Sequence, residues 1–347
     1  MTVQIIEPTN NPFSDYFQVD NPSYHKLINK FYYKSYELIW KNNSVLITEF
    51  RKNRDKQSDE VMYYFCGYDD YFYHFHVFEY ARNFDVLVVD IKGWGYNKRY
   101  CSRYPYPVES KFNYYDNASY IVENLEVAFS FCKKKYDFKN SYLYSHSTGC
   151  NIVNTYLYYL QNNKQPIEFT KVFLCSPLTR FYDPSPIKLL LLIVLSLFLG
   201  IFTKNFDLNA LINGANKRSD KSDYNRALNS IHGTKGLNYI HNGYTGDVAQ
   251  PKLSGWINYV ESSTNIMKLG DVKIDCDVSL VCSETYGTTG YFQSDQYLNP
   301  QYILEDIKCI YKNPKVKQFR TTHDCLITPY DNGNNINFKD VLDFLFA

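Results

Sequence analysis

The sequence predicts an α/β protein with a mostly parallel sheet flanked by helices and interrupted by one long insertion. Short, compactly apolar runs alternate with stretches of helical spacing over residues 36–176, and the same alternation resumes over 272–347. Between them, residues 177–271 break the pattern. At 347 residues the chain exceeds the length typical of one domain and can bury a large core.

The elements follow in order. Residues 1–35 form an N-terminal extension. Tyr36–Trp40 and Val45–Phe50, joined by the turn-like Lys41-Asn42-Asn43, predict a hairpin. Val61–Phe65 and Val86–Asp90 are apolar strands with a helical stretch, Tyr71–Asn83, between them. Asn117–Lys135 places Ile121, Leu125 and Phe129 on one helical face. A strand at Tyr142–Ser145, a helix at Cys150–Gln161 and a strand at Lys171–Cys175 close the first part. The second part reads as strand Val278–Cys282, helix Pro300–Lys312, strand Val316–Arg320 and helix Asn337–Phe346.

Composition narrows the function classes without choosing one. Lys+Arg (37) and Asp+Glu (36) nearly cancel to a net charge of +1, so no field favours nucleic acid or an acidic partner. With 45% hydrophobic and 21% charged residues the chain is globular. The 35 tyrosines are spread along its length and do not form a base-stacking platform. Nine cysteines make no CxxC pair, and several lie in apolar runs such as Val172–Cys175, as expected of buried thiols in a reducing compartment. The start, Met1–Pro12, lacks a charged segment followed by an apolar one, so a cytoplasmic location is expected.

One segment stands apart. Leu189–Phe202 reads LLLLIVLSLFLGIF, fourteen residues against the roughly 20 that a bilayer crossing needs. It is expected to be a buried helix, a membrane-facing helix or the wall of a lipid pocket.

Chemistry concentrates at Ser145-His146-Ser147-Thr148-Gly149, directly after one predicted strand and directly before a helix. A serine at the tip of such a turn is exposed above the sheet, and the helix start aims its N–H groups at it. The alternative is an ordinary helix cap. Gly67, after the strand Val61–Phe65, permits a turn that points the Tyr68 N–H at a developing oxyanion. His323, in Thr322-His323-Asp324 past the last predicted strand, is placed to act as a general base. His74 and His76, two apart on a predicted helix, point about 200° apart and do not read as a metal pair. Asp69 and Asp70 read as helix caps, Asp90 as a brace for the loop beside the site, and Lys133–Lys135 as a solvated helix end.

Taken together, these pieces resemble the α/β-hydrolases, within them the branch of monoglyceride lipase-like, lysophospholipase-like and serine-aminopeptidase-like proteins. Phe65–Phe72 (FCGYDDYF) is similar to that branch's HG-x-x-D-Y-F turn, with Cys66 in place of His. Val86–Tyr96 is similar to its strand and D-x-R-G-x-G loop, SHSTG to its G-H-S-x-G elbow with Ser145 for the first glycine, and Leu174–Pro177 to its L-N-S-P strand end. Tyr224–Leu228 and Gly255–Ile257 also resemble stretches of that branch. The resemblance spans about residues 36 to 345 and implies an α/β-hydrolase core over 36–176 and 272–347, with 177–271 as a helical cap.

The same resemblance implies a serine hydrolase that needs neither cofactor nor metal. Ser147 would be the nucleophile and His323 the base, with the N–H groups of Tyr68 and Thr148 binding the oxyanion. Its acid follows the strand at Val278–Ser283, where Glu284, Asp295, Glu305 and Asp306 compete. Ser294–Pro300 is similar to the family's small-D-x-V-L-D stretch, and Asp295 matches its first acid, so Asp295 is the expected choice. The implied substrate is a carboxylic ester, such as a monoacylglycerol or lysophospholipid, with peripheral membrane contact through Leu189–Phe202. Amide or peptide cleavage, and a non-catalytic binding protein on the same fold, are the alternatives.

Overall fold

The computed structural model describes residues 2–7, 30–41, 43–68, 70, 72–80, 84–95, 97, 115, 117–181, 187, 190, 191, 194, 195, 198, 226, 227, 229–231, 254–287, 294, 295, 298–329 and 336–347, the side chains of 78 and 79 aside. Leu189, Leu192, Phe202, Asp69, Cys101 and most of the stretch from 199 to 253 lie outside the described residues.

The strands are β1 (Gln4–Ile6), β2 (Tyr32–Trp40), β3 (Asn43–Arg51), β4 (Glu60–Phe65), β5 (Phe84–Ile91), β6 (Asn140–His146), β7 (Lys171–Cys175), β8 (Val278–Ser283) and β9 (Lys315–Phe319). They form one sheet in the order β1-β2-β3-β5-β4-β6-β7-β8-β9. The predicted hairpin is present as β2 and β3, with Trp40 opposite Asn43. β3 runs antiparallel to β5, and every pair from β5 to β9 is parallel.

Parallel strands need crossovers, and helices supply them. These are α1 (Phe75–Tyr80), α2 (Ala118–Lys135), α3 (Thr148–Asn162), α4 (Ser254–Leu269), α5 (Pro300–Ile310) and α6 (Phe338–Phe346). α1 is shorter than the predicted Tyr71–Asn83, because Tyr73 and His74 are drawn into loop hydrogen bonds before it starts. The Asn117 side chain caps α2 by accepting from the Tyr120 N–H, a contact worth about 1 kcal/mol. Asn337 and Asp340 form a reciprocal capping box on α6.

Both sheet faces are covered, which explains why the central strands read as continuous apolar runs: all eight residues of β5 and all five of β7 are buried. Side chains alternate along a strand. Tyr63 and Phe65 meet Phe129 of α2, with ring centroids at 4.9 and 6.4 Å. Tyr64 points the other way and stacks on Tyr144 at 5.1 Å. Phe173, in register with Tyr144, meets Phe346 of α6 at 5.2 Å. The β9 edge alternates instead, with Lys315 and Lys317 exposed, and such charges discourage pairing with another chain.

β4 has β5 on one side and β6 on the other, so the strand order reverses there. The carboxyl ends of strands at such a reversal leave a crevice, the usual ligand position in open α/β sheets. β4 leads there into Cys66-Gly67-Tyr68, and β6 into Ser147.

Between β7 and β8, α4 packs against α3 and α5. Asn151 donates to Ser263 Oγ at 3.3 Å, and the Thr155 and Tyr259 hydroxyls are 3.3 Å apart. The start of that connection is tied down as well. Arg180 pairs with Glu305 at 2.8 Å and with Asp306 at 3.1 Å, Lys268 meets Asp306 at 2.6 Å, and Glu261 accepts from the Phe181 N–H at 2.6 Å. Ile187, Leu190, Leu191, Val194, Leu195 and Phe198 are helical. Among the described residues no helix is long and apolar enough to cross a membrane. The eight described cysteines are free thiols, six of them buried.

Candidate active site

Ser147 links β6 to α3 and adopts φ 52°, ψ −117°, a left-handed conformation that a side chain rarely tolerates. Such strain persists only where the surroundings over-determine it. Here the Ser147 N–H donates to the Cys175 carbonyl at 2.9 Å, and the Ser147 carbonyl accepts from the Leu178 N–H at 3.0 Å. Both partners come from the end of β7, so the sheet holds the turn in shape.

The neighbours of Ser147 must be small for steric reasons. A Cβ on Gly149 would sit 2.6 Å from the carbonyl oxygens of both Phe65 and Cys66. A Cβ on Gly67 would come within 3.2 Å of the Ser147 Cβ and 3.1 Å of His146 Nδ1. Ser145, which departs from the elbow pattern, is accommodated: its hydroxyl is fully buried and donates to Cys150 Sγ at 3.3 Å. Cys66, the other departure, directs its thiol to Asp90 Oδ1 at 3.6 Å. Asp90 in turn packs beneath Gly95, where a Cβ would be 2.0 Å from its carboxylate. Asp90 thus braces the loop after β5, as its position in the sequence implies.

His323 lies past β9 and is almost buried, and its Nδ1 is 2.9 Å from Asp295 Oδ2. Asp295 is fully buried and well held. Its Oδ1 accepts from the Leu298 N–H at 2.9 Å, its own N–H donates to the Thr285 carbonyl at 2.8 Å, and its carbonyl accepts from the Gly287 N–H at 3.0 Å. The competing carboxylates are engaged elsewhere: Glu284 is exposed, and Glu305 and Asp306 pair with Arg180. Thr148 opens α3, so its N–H is one that a helix leaves without an internal acceptor. Tyr68, which follows Gly67, stacks on Trp256 of α4 at 4.8 Å.

Several participants escaped the sequence reading. Asp70 does not cap α1, which begins five residues later. It reaches back to His146, with Oδ2 at 3.2 Å from Nδ1, and accepts from the Gly67 N–H at 3.4 Å. The His146 ring centroid lies 4.9 Å from that of His323. Burial alone would push the His146 pKa down, but the Asp324 charge and the Asp70 hydrogen bond outweigh it and raise it to about 10. His146 is therefore cationic at neutral pH. Burial pushes Asp324 the opposite way from its neighbours, and the charges of His74 and His146 prevail, holding its carboxyl far below the usual carboxylate range. His74 donates or accepts at Asp324 and Tyr64, and His76 Nε2 lies 2.7 Å from the Leu326 carbonyl. Among the described residues no cluster of metal-ligating side chains occurs. The one signal in the sequence was adjacency: Asp324 directly follows His323.

Residues 67–227 match the model of a family described as serine aminopeptidase, S33. No curated protein matches the chain. Among solved structures, a soluble variant of monoglyceride lipase from Saccharomyces cerevisiae superimposes with a TM-score of 0.60 at 13% identity, covering 89% of this chain and 93% of that one. Monoacylglycerol lipase from Paleococcus ferrophilus gives 0.53 at 14% identity, covering 84% and 95%. A thermostable carboxyl esterase from Bacillus coagulans gives 0.53 at 12%, covering 83% and 89%. At these identities the structural likeness speaks for the fold. With the sheet order and the elbow, it gives the chain the α/β-hydrolase fold.

Proposed function

We propose that the protein is a serine hydrolase that cleaves carboxylic esters of lipids, such as a monoacylglycerol or lysophospholipid. The observation that carries this reading is the 2.9 Å contact between His323 and Asp295, at the same sheet edge as the strained Ser147 turn. Asp295 holds His323 through Nδ1, so Nε2 is the nitrogen that serves the serine. Ser147 Oγ attacks the acyl carbon as its proton passes to His323, and the N–H groups of Tyr68 and Thr148 stabilise the oxyanion. Collapse expels the alcohol, which takes the proton from His323. Water, activated by the same imidazole, then releases the acid and frees Ser147.

In this reading residues 177–271 act as the cap. The exposure of Ile187, Leu190, Leu191, Val194 and Phe198 (53–74%) supports a lipid substrate. On a helix these positions fall on one face about 100° wide, suited to rest on a membrane surface or a bound acyl chain.

The test is a fluorophosphonate probe, which labels only an activated serine, followed by acyl esters of graded chain length. The wild-type protein should label and favour long chains, and Ser147→Ala should do neither while keeping its fold. Faster turnover of peptide substrates than of any ester would favour an aminopeptidase activity instead. Absence of labelling would favour a non-catalytic protein.

A further inference from the structure

Two loops carry the machinery proposed above: the one after β4, with Tyr68, and the one after β9, with His323. They are joined by a buried polar network that the triad itself does not use. Asp324, fully buried, accepts at Oδ2 from the Tyr73 hydroxyl at 2.7 Å and meets His74 Nε2 at 2.7 Å. Its Oδ1 caps the short 3-10 turn Cys325–Ile327 by accepting from the Leu326 N–H at 3.2 Å. His74 is anchored in turn, its Nδ1 lying 2.8 Å from the hydroxyl of Tyr64 on β4. A second tie, His76 Nε2 to the Leu326 carbonyl at 2.7 Å, grips the same turn.

We propose that Asp324, gripped by Tyr73 and His74, is a positioning residue for the base, locking the His323 turn to the loop that bears the Tyr68 oxyanion donor. This inference rests on the hydrolase reading of Ser147 and His323. Adjacent side chains on an extended backbone point apart, so His323 can face Asp295 while Asp324 faces the β4 loop. A buried carboxylate is a poor way to gain stability alone, since an apolar side chain often serves as well. What hydrogen-bonded charge adds is a single geometry. Here it joins segments about 250 residues apart in the chain whose relative placement sets the distance from base to oxyanion hole. The strongly lowered pKa of Asp324 keeps its carboxylate ionised throughout the working range.

The experiment measures full-length Asp324→Asn, His74→Gln and Tyr73→Phe with a short soluble ester. Labelling of the wild type, and its loss in Ser147→Ala, establishes beforehand that the hydrolase reading stands; without labelling, it is that reading that fails. Asp324→Asn should melt cooperatively and lower kcat by about 10- to 100-fold, the cost of a small misplacement, with KM little changed. His74→Gln, which can still donate to Asp324, should lose less. In a His323→Ala background, Asp324→Asn should change the residual rate no further, because its effect passes through the base. Unchanged kcat with a lowered melting temperature would mean a purely structural role and overturn the proposal. So would an equal fold-loss with and without His323. If Asp324→Asn does not fold, Tyr73→Phe, which removes one donor and little volume, is judged by the same two outcomes.

Discussion

The carboxylate of Asp295 meets Nδ1 of His323 at 2.9 Å from a fully buried position, although Glu284 lies closer to the end of β8 in the chain. Burial and hydrogen bonding set the two carboxylates apart. Asp295 is gripped through its side chain, its N–H and its carbonyl, whereas Glu284 projects into solvent. If this pair operates in the proposed triad, Asp295→Asn should reduce ester turnover by orders of magnitude, about 10⁴-fold in the best-studied triad. Glu284→Gln and Glu305→Gln should leave it within a few-fold of wild type. Steady-state rates on a soluble ester check this, and a crippled Glu284→Gln would point to the wrong acid.

Strain at Ser147 has a thermodynamic signature. With φ at 52°, a non-glycine residue costs of order 1 kcal/mol that glycine would not. Ser147→Gly should therefore lose all activity and raise the melting temperature by a few degrees. Calorimetry tests this. A lowered melting temperature would show that the serine side chain contributes contacts that outweigh its strained backbone.

His146 makes stability depend on alkaline pH. Its folded pKa of about 10 lies above the ordinary value of 6.5. The stabilisation is then fully present below about 6.5 and is lost as pH rises from there through about 10. Denaturant titrations should show a falling unfolding free energy across that window. His146→Gln should flatten the slope while lowering stability at neutral pH. Asp324 has the opposite sign: its depressed pKa contributes stability above the unfolded carboxylate value, lost only as pH falls far below it.

Lipid contact is testable at the exposed face. Leu191 and Val194 are 64% and 53% exposed, so Asp at both should leave the fold intact. Burying one such side chain in lipid is worth about 1.5–3 kcal/mol, and losing two should clearly weaken sedimentation with phosphatidylcholine vesicles. Long-chain ester turnover should fall with it, and short-ester hydrolysis should survive. Equal loss on both substrates would assign the segment to structure.

The strands and the elbow were legible in the sequence because their causes are local. Apolar runs mark strands buried on both faces, and a serine between a strand and a helix with Gly149 behind it can fold in few ways. β5, β7, α2 and α6 accordingly fall within a few residues of where periodicity and caps put them. Asp295 was legible only through the likeness of Ser294–Pro300 to a known stretch. Nothing local distinguishes it from Glu284. What only the tertiary structure decided is the pairing of polar side chains far apart in the chain: Asp70 with His146, His74 and Tyr73 with Asp324. In one dimension His74 and His76 read as two helix positions facing apart, and Asp70 as a helix cap. Their partners lie at the end of β6 and past β9, about 76 and 250 residues away in the chain. A hydrogen bond needs contact to within about 3 Å. That proximity is a property of the folded sheet, which no stretch of sequence contains.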